Sequence, residues 1–282
     1  MSQDVIFYYV KVFPKLKKFL KNREIATIMK LKDTEIVRRG SNHPPLYIKD
    51  LKKINKKFQE LRKGNIHLKD IESQLSNIQI KIWQYFVPRK LIELHYAVNQ
   101  EHPNKPLERV YFDIDRKDIP AEKAQLVALK LIETIKKDKT FRLEYKIFPM
   151  WTGNSFHIYL LLKKKIPHSF YEKNFHVDIN HQKDSFTGRW ALKINKELKN
   201  IKVVAGHQKK QGYINIDPSQ SPSGKISRSP LSLYIKNYSS IRGIALPLTI
   251  EDLKNKNLIK ELRGYTIEKV IKNLNKLAKK LP

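Results

Sequence analysis

Alternating apolar and polar positions, or short unbroken apolar runs, predict six strands along the chain. They lie at 24–31, 34–40, 110–115, 141–151, 155–164 and 212–217. The first two strands flank a turn at 32–34, and the fourth and fifth flank a tight Thr-Gly-Asn turn at 152–154. The pattern therefore predicts two hairpins and two further strands.

Apolar residues at intervals of three and four predict the helices. These are expected at 11–22, 48–64, 67–86, 119–137 and 188–198. Gly64 is expected to end the second helix, and Pro88 to stop the third. Pro120 is expected in the first turn of the fourth helix, with Asp118 as its cap.

The order of elements from residue 110 onward is strand, helix, strand, strand, which is a minimal α/β layer. Residues 166–205 are predicted to be mostly helical, and 218–230 is a loop rich in Ser, Pro and Gly. Residues 249–281 are predicted to be helical and basic. The fold class that follows is α/β (α+β), with an antiparallel-rich sheet flanked by helices.

The charge balance indicates a polyanionic partner. Lys and Arg total 57 against 27 Asp and Glu, which gives a formal net charge of +30. Nucleic acid is the first candidate partner and an anionic membrane surface the second. No apolar run reaches the length of about 18 residues that a membrane span needs. The alternative is a solvated Lys-rich surface, because Lys, Ile and Asn are abundant throughout the chain.

The chain has no cysteine. Disulfides, thiolate zinc sites, iron–sulfur clusters and cysteine nucleophiles are therefore excluded. The first residues lack the charged, apolar and small-residue order of a signal peptide. We expect a cytoplasmic protein.

Two carboxylates end the apolar strand at 110–115. Residues two apart in a strand point to the same face, so Asp113 and Asp115 project side by side. Adjacent carboxylates repel unless a cation lies between them, and oxygen ligands at this spacing suit Mg²⁺ or Mn²⁺. Taken alone, the pair is more typical of a strand end whose acids face solvent or pair with nearby lysines.

Two other strands carry polar residues at their ends. Ser155 and His157 repeat the two-residue spacing, and Asp217 ends the strand at 212–217. Each has an ordinary structural explanation when taken singly. Together, three acids and a histidine can converge at one edge of a sheet. Three carboxylates around two divalent cations are the apparatus of nucleotidyl transfer.

The order of these motifs resembles the archaeo-eukaryotic primase superfamily. An apolar run followed by Asp-x-Asp, then Ser-x-His, then an apolar residue and Asp occurs here in the family's order. Residues 22–40 resemble the segment of primase small subunits that precedes these motifs. Residues 216–236 resemble the segment that runs from the third acid to a basic loop. The resemblance spans about residues 20 to 240.

The resemblance implies a role for each matched residue. Asp113, Asp115 and Asp217 would be catalytic and bind two Mg²⁺ or Mn²⁺ ions. The remaining matched residues would bind the incoming nucleotide and its phosphates: Ser155, His157, Arg23, Arg38, Arg228 and Lys236. The last four suit this role because a triphosphate keeps excess negative charge even with a metal ion bound.

The sequence departs from the family pattern at three points. Family small subunits carry a Cys-rich zinc site near these motifs, and this chain has no Cys, so no zinc is expected. Tyr234 stands where the family has a His in the basic loop. Ser219 and Gln220 replace the small pair that follows the third acid.

The predicted organisation has three segments that form one compact catalytic unit. Residues 1–80 would close the nucleotide site, 81–248 would form the catalytic core, and 249–282 would form basic C-terminal helices. The function that the resemblance implies is a DNA-dependent primase or primase-polymerase. Such an enzyme makes and extends primers from NTPs or dNTPs on a single-stranded DNA template.

Three alternatives remain open. One is a gap-filling polymerase of the same superfamily, as in bacterial end joining. Another is a catalytically inert nucleic-acid-binding module, against which the three acids argue. A glycosyltransferase with an Asp-x-Asp site would need neither the Ser-x-His motif nor the third acid. A large primase subunit or independent action, and a role in replication, a plasmid or virus, or a CRISPR-linked defence locus, are equally compatible with the sequence.

Overall fold

The computed structural model describes residues 4–64, 66–178, 180–207 and 211–282. These residues form ten α-helices and twelve strands. The helices are α1 Ile6–Leu16, α2 Lys56–Lys63, α3 Leu68–Ile71, α4 Asn77–Tyr85, α5 Ala121–Lys137, α6 His168–Asn174, α7 Phe186–Glu197, α8 Leu258–Arg263, α9 Ile267–Lys272 and α10 Leu274–Ala278. The strands are β1 Ile25–Lys30, β2 Glu35–Arg38, β3 Glu93–Ala97, β4 Leu107–Asp115, β5 Tyr145–Trp151, β6 Phe156–Ile166, β7 Lys202–Ala205, β8 Tyr213–Asp217, β9 Ile226–Arg228, β10 Leu233–Asn237, β11 Ser240–Ile244 and β12 Leu246–Pro247.

The larger sheet has six strands in the order β12-β5-β6-β4-β8-β7. Every neighbouring pair is antiparallel except β7 and β8, which are parallel. Helices α5 and α7 cover one face, where the buried Phe112 packs edge to face against Trp190 of α7. Alternation along β4 then turns Tyr111 and Asp113 to the opposite face. The expected α/β class with an antiparallel-rich sheet is confirmed.

The smaller sheet has four strands in the order β2-β1-β3-β9. Its side chains meet the helix-free face of the larger sheet. Phe19 packs between Tyr96 of β3 and Tyr159 of β6, with ring centroids 5.5 and 6.5 Å away. The Tyr159 hydroxyl also lies 2.8 Å from the hydroxyl of Ser227 on β9. The two sheets therefore enclose the face that carries Asp113.

The helices at the two ends of the chain pack together. Helix α1 contacts α9 and α10, and β12 adds a short edge strand to the larger sheet. Strand β1, from residues 1–80, pairs with β3, from residues 81–248. The first two predicted segments thus share a sheet. None of the helices formed by the described residues combines the length and apolar character needed to cross a bilayer.

Several predicted helices have different bounds. The first begins and ends earlier than expected, because the buried stripe starts at Ile6 and includes Tyr9, Val12 and Leu16. The predicted helix at 48–64 is interrupted before α2, where the Asn55 side chain caps the backbone N–H of Phe58. The predicted helix at 67–86 is likewise divided. Its main part, α4, begins at a capping box formed by Ser76 and Gln79.

Some of the predicted secondary structure is wrong. Residues 166–205 are mostly helical as expected, with α6 and α7, but they end in a strand, β7, because Val203 and Ala205 are buried beside β8. The predicted loop at 218–230 contains β9, which completes the smaller sheet. Asp118 does not cap α5. Pro120 occupies the N-cap position, and no side chain accepts a hydrogen bond there.

Candidate active site

The three predicted strand ends lie side by side. Asp113 on β4 is directly opposite His157 on β6 and directly opposite Asp217 on β8. Residues directly opposite in an antiparallel pair point to the same face, with Cβ atoms about 4.5–5.5 Å apart. The structure therefore brings together two of the predicted acids and the predicted histidine in one row across three strands.

A second row continues this face toward the end of β4. Asp115 lies two residues from Asp113 and is opposite the fully buried Asn215 of β8. On the other side, Ser155 immediately precedes β6. Its hydroxyl donates a hydrogen bond to the carbonyl oxygen of Ile114. Ser155 thus ties the start of β6 to β4, and its hydrogen is directed at the backbone.

The carboxylates differ in exposure and in their partners. The Asp113 side chain is 40% exposed, and its Oδ1 lies 3.5 Å from Nε2 of His157. The Asp217 side chain is 7% exposed, with its Oδ2 3.5 Å from Nδ1 of His207. Asp217 also accepts hydrogen bonds from the backbone N–H of Ser219 at 2.9 Å and from its hydroxyl at 3.0 Å. Asp113 is therefore the more open of the two opposed acids.

The imidazole of His157 is held from behind by hydroxyl groups. Its Nδ1 lies 3.3 Å from the Tyr159 hydroxyl and 3.3 Å from the Ser227 hydroxyl. The ring also packs on Tyr111, with centroids 4.9 Å apart. These contacts leave Nε2 facing Asp113. The ring orientation is therefore fixed by both sheets.

The opposed carboxylates fit a cation site by their chemistry. Like charges placed directly opposite on neighbouring strands are destabilising. A divalent cation between Asp113 and Asp217 would remove that repulsion, and carboxylate oxygens are the donors that Mg²⁺ and Mn²⁺ prefer. Among the described residues, however, no three His, Asp or Glu side chains are grouped closely enough to bind a metal ion as they stand.

The smaller sheet contributes Arg228, which was predicted, through β9. Its Nη2 donates a 2.6 Å hydrogen bond to Oε2 of the buried Glu93. Its Nη1 donates a 3.1 Å hydrogen bond to the carbonyl oxygen of Thr152, in the turn before Ser155. The guanidinium carbon lies 4.6 Å from the ring centroid of Tyr234. Arg228 therefore spans the two sheets beside the candidate site.

Two residues of the smaller sheet near the candidate site were missed in the sequence. His95 on β3 is opposite Arg228 on β9. Burial, reinforced by the charges of Arg228, Lys30 and His157, holds the pKa of His95 well below its usual range. His95 is therefore neutral at neutral pH, and its Nδ1 is buried with no hydrogen-bond partner among the described residues. The alternating stretch at 92–98 carried the strand signal for His95. Lys30 ends β1, where it pairs with Glu35.

The other predicted phosphate-binding residues have different surroundings. Arg23 is buried, donates to the carbonyl oxygen of Asn99 and forms an ion pair with Glu108. Burial, with a smaller effect from the charge of Arg109, lowers the pKa of Arg23 to about 9. These contacts engage Arg23 with neighbours outside the row of acids.

Lys236 and Arg38 are more open. Lys236 is exposed on β10, the strand that also carries Tyr234. Arg38 is half-buried at the end of β2, and it lines a large cleft. The row of acids does not line this cleft. Arg38 therefore belongs to a different surface from the carboxylates.

This cleft has a volume of about 1690 Å³ and is lined by parts of α1, α2, α4 and α9. We call it the basic cleft. The carboxylate among its described lining residues, Asp4, forms a 2.7 Å ion pair with Arg62. The other Lys and Arg residues that line the cleft are Lys11, Arg38, Lys63, Lys69, Arg89 and Lys90. Its charge suits a polyanion.

Comparisons with known proteins agree with this fold. The family model described as "LigD, primase-polymerase domain" matches residues 2–281. No curated protein matches the chain. A solved structure described as the polymerase domain from Mycobacterium tuberculosis Ligase D in complex with DNA matches with a TM-score of 0.58. The match has 15% sequence identity and covers 99% of this chain and 92% of that one, so it supports the same fold.

Proposed function

The chain belongs to the LigD primase-polymerase domain family of the archaeo-eukaryotic primase superfamily, whose members are DNA nucleotidyltransferases, and from this we propose that it extends DNA primers on a template. The expected family membership and enzyme class are thereby confirmed. The family match favours the end-joining type of polymerase, which fills gaps, over an enzyme dedicated to primer synthesis. Primer-free synthesis stays a prediction.

One observation carries the proposal. Asp113, Asp115 and Asp217 share one face of the larger sheet, and His157 lies in the same row. Polymerisation needs carboxylates near the attacking 3′-hydroxyl and cationic or polar groups near the phosphates of the incoming nucleotide. An inert nucleic-acid-binding module would have no need for opposed carboxylates, which repel one another.

The acids are the residues that would hold divalent ions. We propose Mg²⁺ or Mn²⁺ bound by Asp113, Asp115 and Asp217. Such ions, when bound, stabilise negative charge on the phosphates and favour deprotonation of the hydroxyl. The protein's own part is to hold the carboxylates in register, through the β4–β8 pairing and the Ser219 hydrogen bonds to Asp217.

The phosphates of the incoming nucleotide would lie on the β6 side of the acids. His157 faces the row of acids through Nε2, and Arg228 lies beside the site on β9. We propose that these two contact the phosphates, and that Lys236 approaches them from β10. Ser155 would act by fixing the strand end, since its hydroxyl is bonded to Ile114.

Arg23 and Arg38 would take different parts. The contacts of Arg23 with Glu108 and Asn99 favour a role in stabilising the surrounding fold over direct binding of the triphosphate. Arg38, in the basic cleft, would contact DNA. Pairing of β1 with β3 supports a single catalytic unit built from residues 1–80 and 81–248.

An assay with three DNA substrates tests the function. The wild-type protein would be incubated with Mg²⁺ or Mn²⁺ and labelled NTPs or dNTPs on a primed template, a gapped duplex and an unprimed circle. We expect extension of the primed and gapped substrates. Products on the unprimed circle would add primer synthesis to the function. No incorporation on any substrate would contradict the proposal.

A further inference from the structure

The turn at 152–154, which connects β5 to Ser155 and β6, is closed by hydrogen bonds between Thr152 and Ser155. The N–H of Thr152 donates to the carbonyl oxygen of Ser155 at 2.8 Å, and the N–H of Ser155 donates to Thr152 Oγ1 at 3.0 Å. Gly153 has a φ of +97°, which favours glycine. The turn therefore has a fixed shape.

One side of this turn packs against β10. A Cβ atom on Gly153 would lie 2.6 Å from Cβ of Tyr234, so the turn backbone and the Tyr234 side chain are in close contact. Gly243 of β11 is equally close, since a Cβ there would lie 2.5 Å from the Gly153 carbonyl oxygen. The hairpin of β10 and β11 thus prevents the turn from moving in that direction.

The turn is also held by Arg116, the residue that follows Asp115. Its Nε donates a 2.8 Å hydrogen bond to the carbonyl oxygen of Asn154, and its Nη2 donates a 2.6 Å hydrogen bond to Asn154 Oδ1. Its Nη1 donates to the carbonyl oxygens of Ile119 and Lys117. One planar guanidinium therefore joins the loop after the acids to the turn before Ser155 and His157.

The loop on the acid side is shaped around the same residue. The N–H of Ile119 donates to the carbonyl oxygen of Arg116 at 2.9 Å. The N–H of Lys117, whose φ is +47°, donates to Oδ1 of Asp115 at 3.2 Å. The carboxylate of Asp115 and the guanidinium of Arg116 are thus fixed by one short segment of backbone.

From these contacts we infer that Arg116 is a positioning residue for nucleotide addition, which sets the distance between the acids of β4 and the turn that leads into His157 on β6. This inference rests on the proposed function. The planar fork of Arg serves all four carbonyl and amide oxygens, whereas the point charge of Lys cannot. Reaction rates depend steeply on such distances, because an error of about 1 Å can cost about 10²-fold.

Variants at both ends of the contact test the inference. Arg116→Lys keeps the charge and loses the fork, and Asn154→Ala removes the Oδ1 acceptor. The matched control is Arg142→Lys, because Arg142 is an exposed arginine outside the site. Each variant and the Arg116→Lys/Asn154→Ala double variant would be measured for single-turnover rate, nucleotide KM, primer–template affinity and melting temperature.

We expect Arg116→Lys to lower kcat/KM for the nucleotide about 10- to 100-fold, with primer–template affinity and melting temperature unchanged. The double variant should be little worse than Arg116→Lys alone, because Arg116→Lys already breaks the contact with Asn154 that Asn154→Ala removes. If the wild type is active, an unimpaired Arg116→Lys variant would overturn this inference but leave the proposed function standing. A loss in the double variant equal to the product of the two single losses would do the same. If DNA affinity and melting temperature fall together with kcat/KM in Arg116→Lys, the role of Arg116 is only structural, and the inference is overturned. An inactive wild type would overturn the proposed function as well.

Discussion

At the scale of single residues, the opposed acids place two like charges on neighbouring strands, which lowers the stability of the fold. Asp113 and Asp217 face each other across β4 and β8, and Asp217 is almost fully buried. Opposed like charges cost roughly 0.2–1 kcal/mol in a sheet. A purely structural position would not keep this pair, whereas a cation-binding position requires it.

Asp217→Asn should therefore separate activity from stability. The amide keeps the shape and one acceptor for the Ser219 hydrogen bonds, but it removes the charge. We expect nucleotide incorporation to fall at least about 100-fold, the loss that removal of one electrostatic contributor typically causes. The free energy of unfolding, from urea titration without metal, should stay equal or rise by up to about 1 kcal/mol. The control is Asp118→Asn, which changes an exposed carboxylate in the loop between β4 and α5. Equal activity of both variants would refute a catalytic role for Asp217.

His95 predicts a pH dependence of stability. Burial holds its folded pKa well below the usual value, while in the unfolded chain the pKa is near 6.5. The unfolded state therefore binds the proton more readily, and the contribution of His95 is present above about pH 6.5 and lost as pH falls below it. The loss is at most about 1.4 kcal/mol per pH unit.

Urea unfolding of the wild type and of His95→Gln between pH 7.5 and 5.5 checks this sign. The wild type should lose more unfolding free energy than the variant over that range. Comparison of slopes removes the general effect of the many other basic groups, which both proteins share. Parallel slopes would mean that His95 is not held neutral by burial.

Sequence reasoning reached the acids because their signal is local. The two-residue spacing of Asp113 and Asp115 fixes a common face in any strand, and the strand ends of His157 and Asp217 were equally visible. His95 was missed because nothing within 92–98 shows that β3 will pair with β9 and place His95 opposite Arg228. The ion pair that engages Arg23 with Glu108 depends on folding across 85 positions, which no local pattern contains.

At the scale of elements, the turn at 152–154 is tightly constrained by its neighbours. A side chain on Gly153 would meet Tyr234 and would also oppose the φ of +97°. Gly212 supplies a matched control, because its φ is +75° and no atom of the described residues lies within 4 Å of a Cβ there. The pair separates backbone strain from crowding.

Gly153→Ala should therefore be more damaging than Gly212→Ala. We expect Gly212→Ala to show the cost of the backbone alone, about 1 kcal/mol. Gly153→Ala should add a crowding cost of about 1–3 kcal/mol, together with a raised nucleotide KM. Thermal unfolding and nucleotide titrations of both variants give the comparison. Equal effects of the two substitutions would contradict the packing of β10 against this turn.

The success of element prediction followed the strength of each pattern. Strands with clear alternation or unbroken apolar runs, such as β4 and β6, were predicted, and α5 was predicted because its apolar stripe runs over 17 residues. The four-residue β7 was missed because its pairing with β8, and not its own sequence, makes it a strand. The helices of the first half were split by caps at Asn55 and Ser76, which compete locally with helix continuation.

At the scale of the whole molecule, charge and topology act together. The basic cleft gathers its lysines and arginines from residues 11–90, and α9 from the other end of the chain adds apolar lining. Pattern and composition predicted the partner class but could not locate its surface. That location depends on the packing of α1 against α9 and α10.

DNA binding through the basic cleft should be strongly salt dependent. Each phosphate neutralised by Lys or Arg contributes about 0.7–0.9 to the slope of log Kobs against log salt. We expect the Lys63→Gln/Lys69→Gln double variant to lower this slope by about 1–2 in fluorescence anisotropy titrations of a primed template. The control, Lys163→Gln, removes an exposed lysine of β6 that is paired with Glu144. A slope that falls as much in the control as in the double variant would exclude the cleft as the DNA surface.

We propose that the carboxylates on the helix-free face of the larger sheet carry out nucleotide addition to DNA. The most direct measurement is primer extension with Mn²⁺ by the wild type and by the Asp113→Ala/Asp115→Ala variant, under conditions where both bind the primed template equally. We expect extension by the wild type and none above background by the variant. Extension by the variant at the wild-type rate would contradict this proposal.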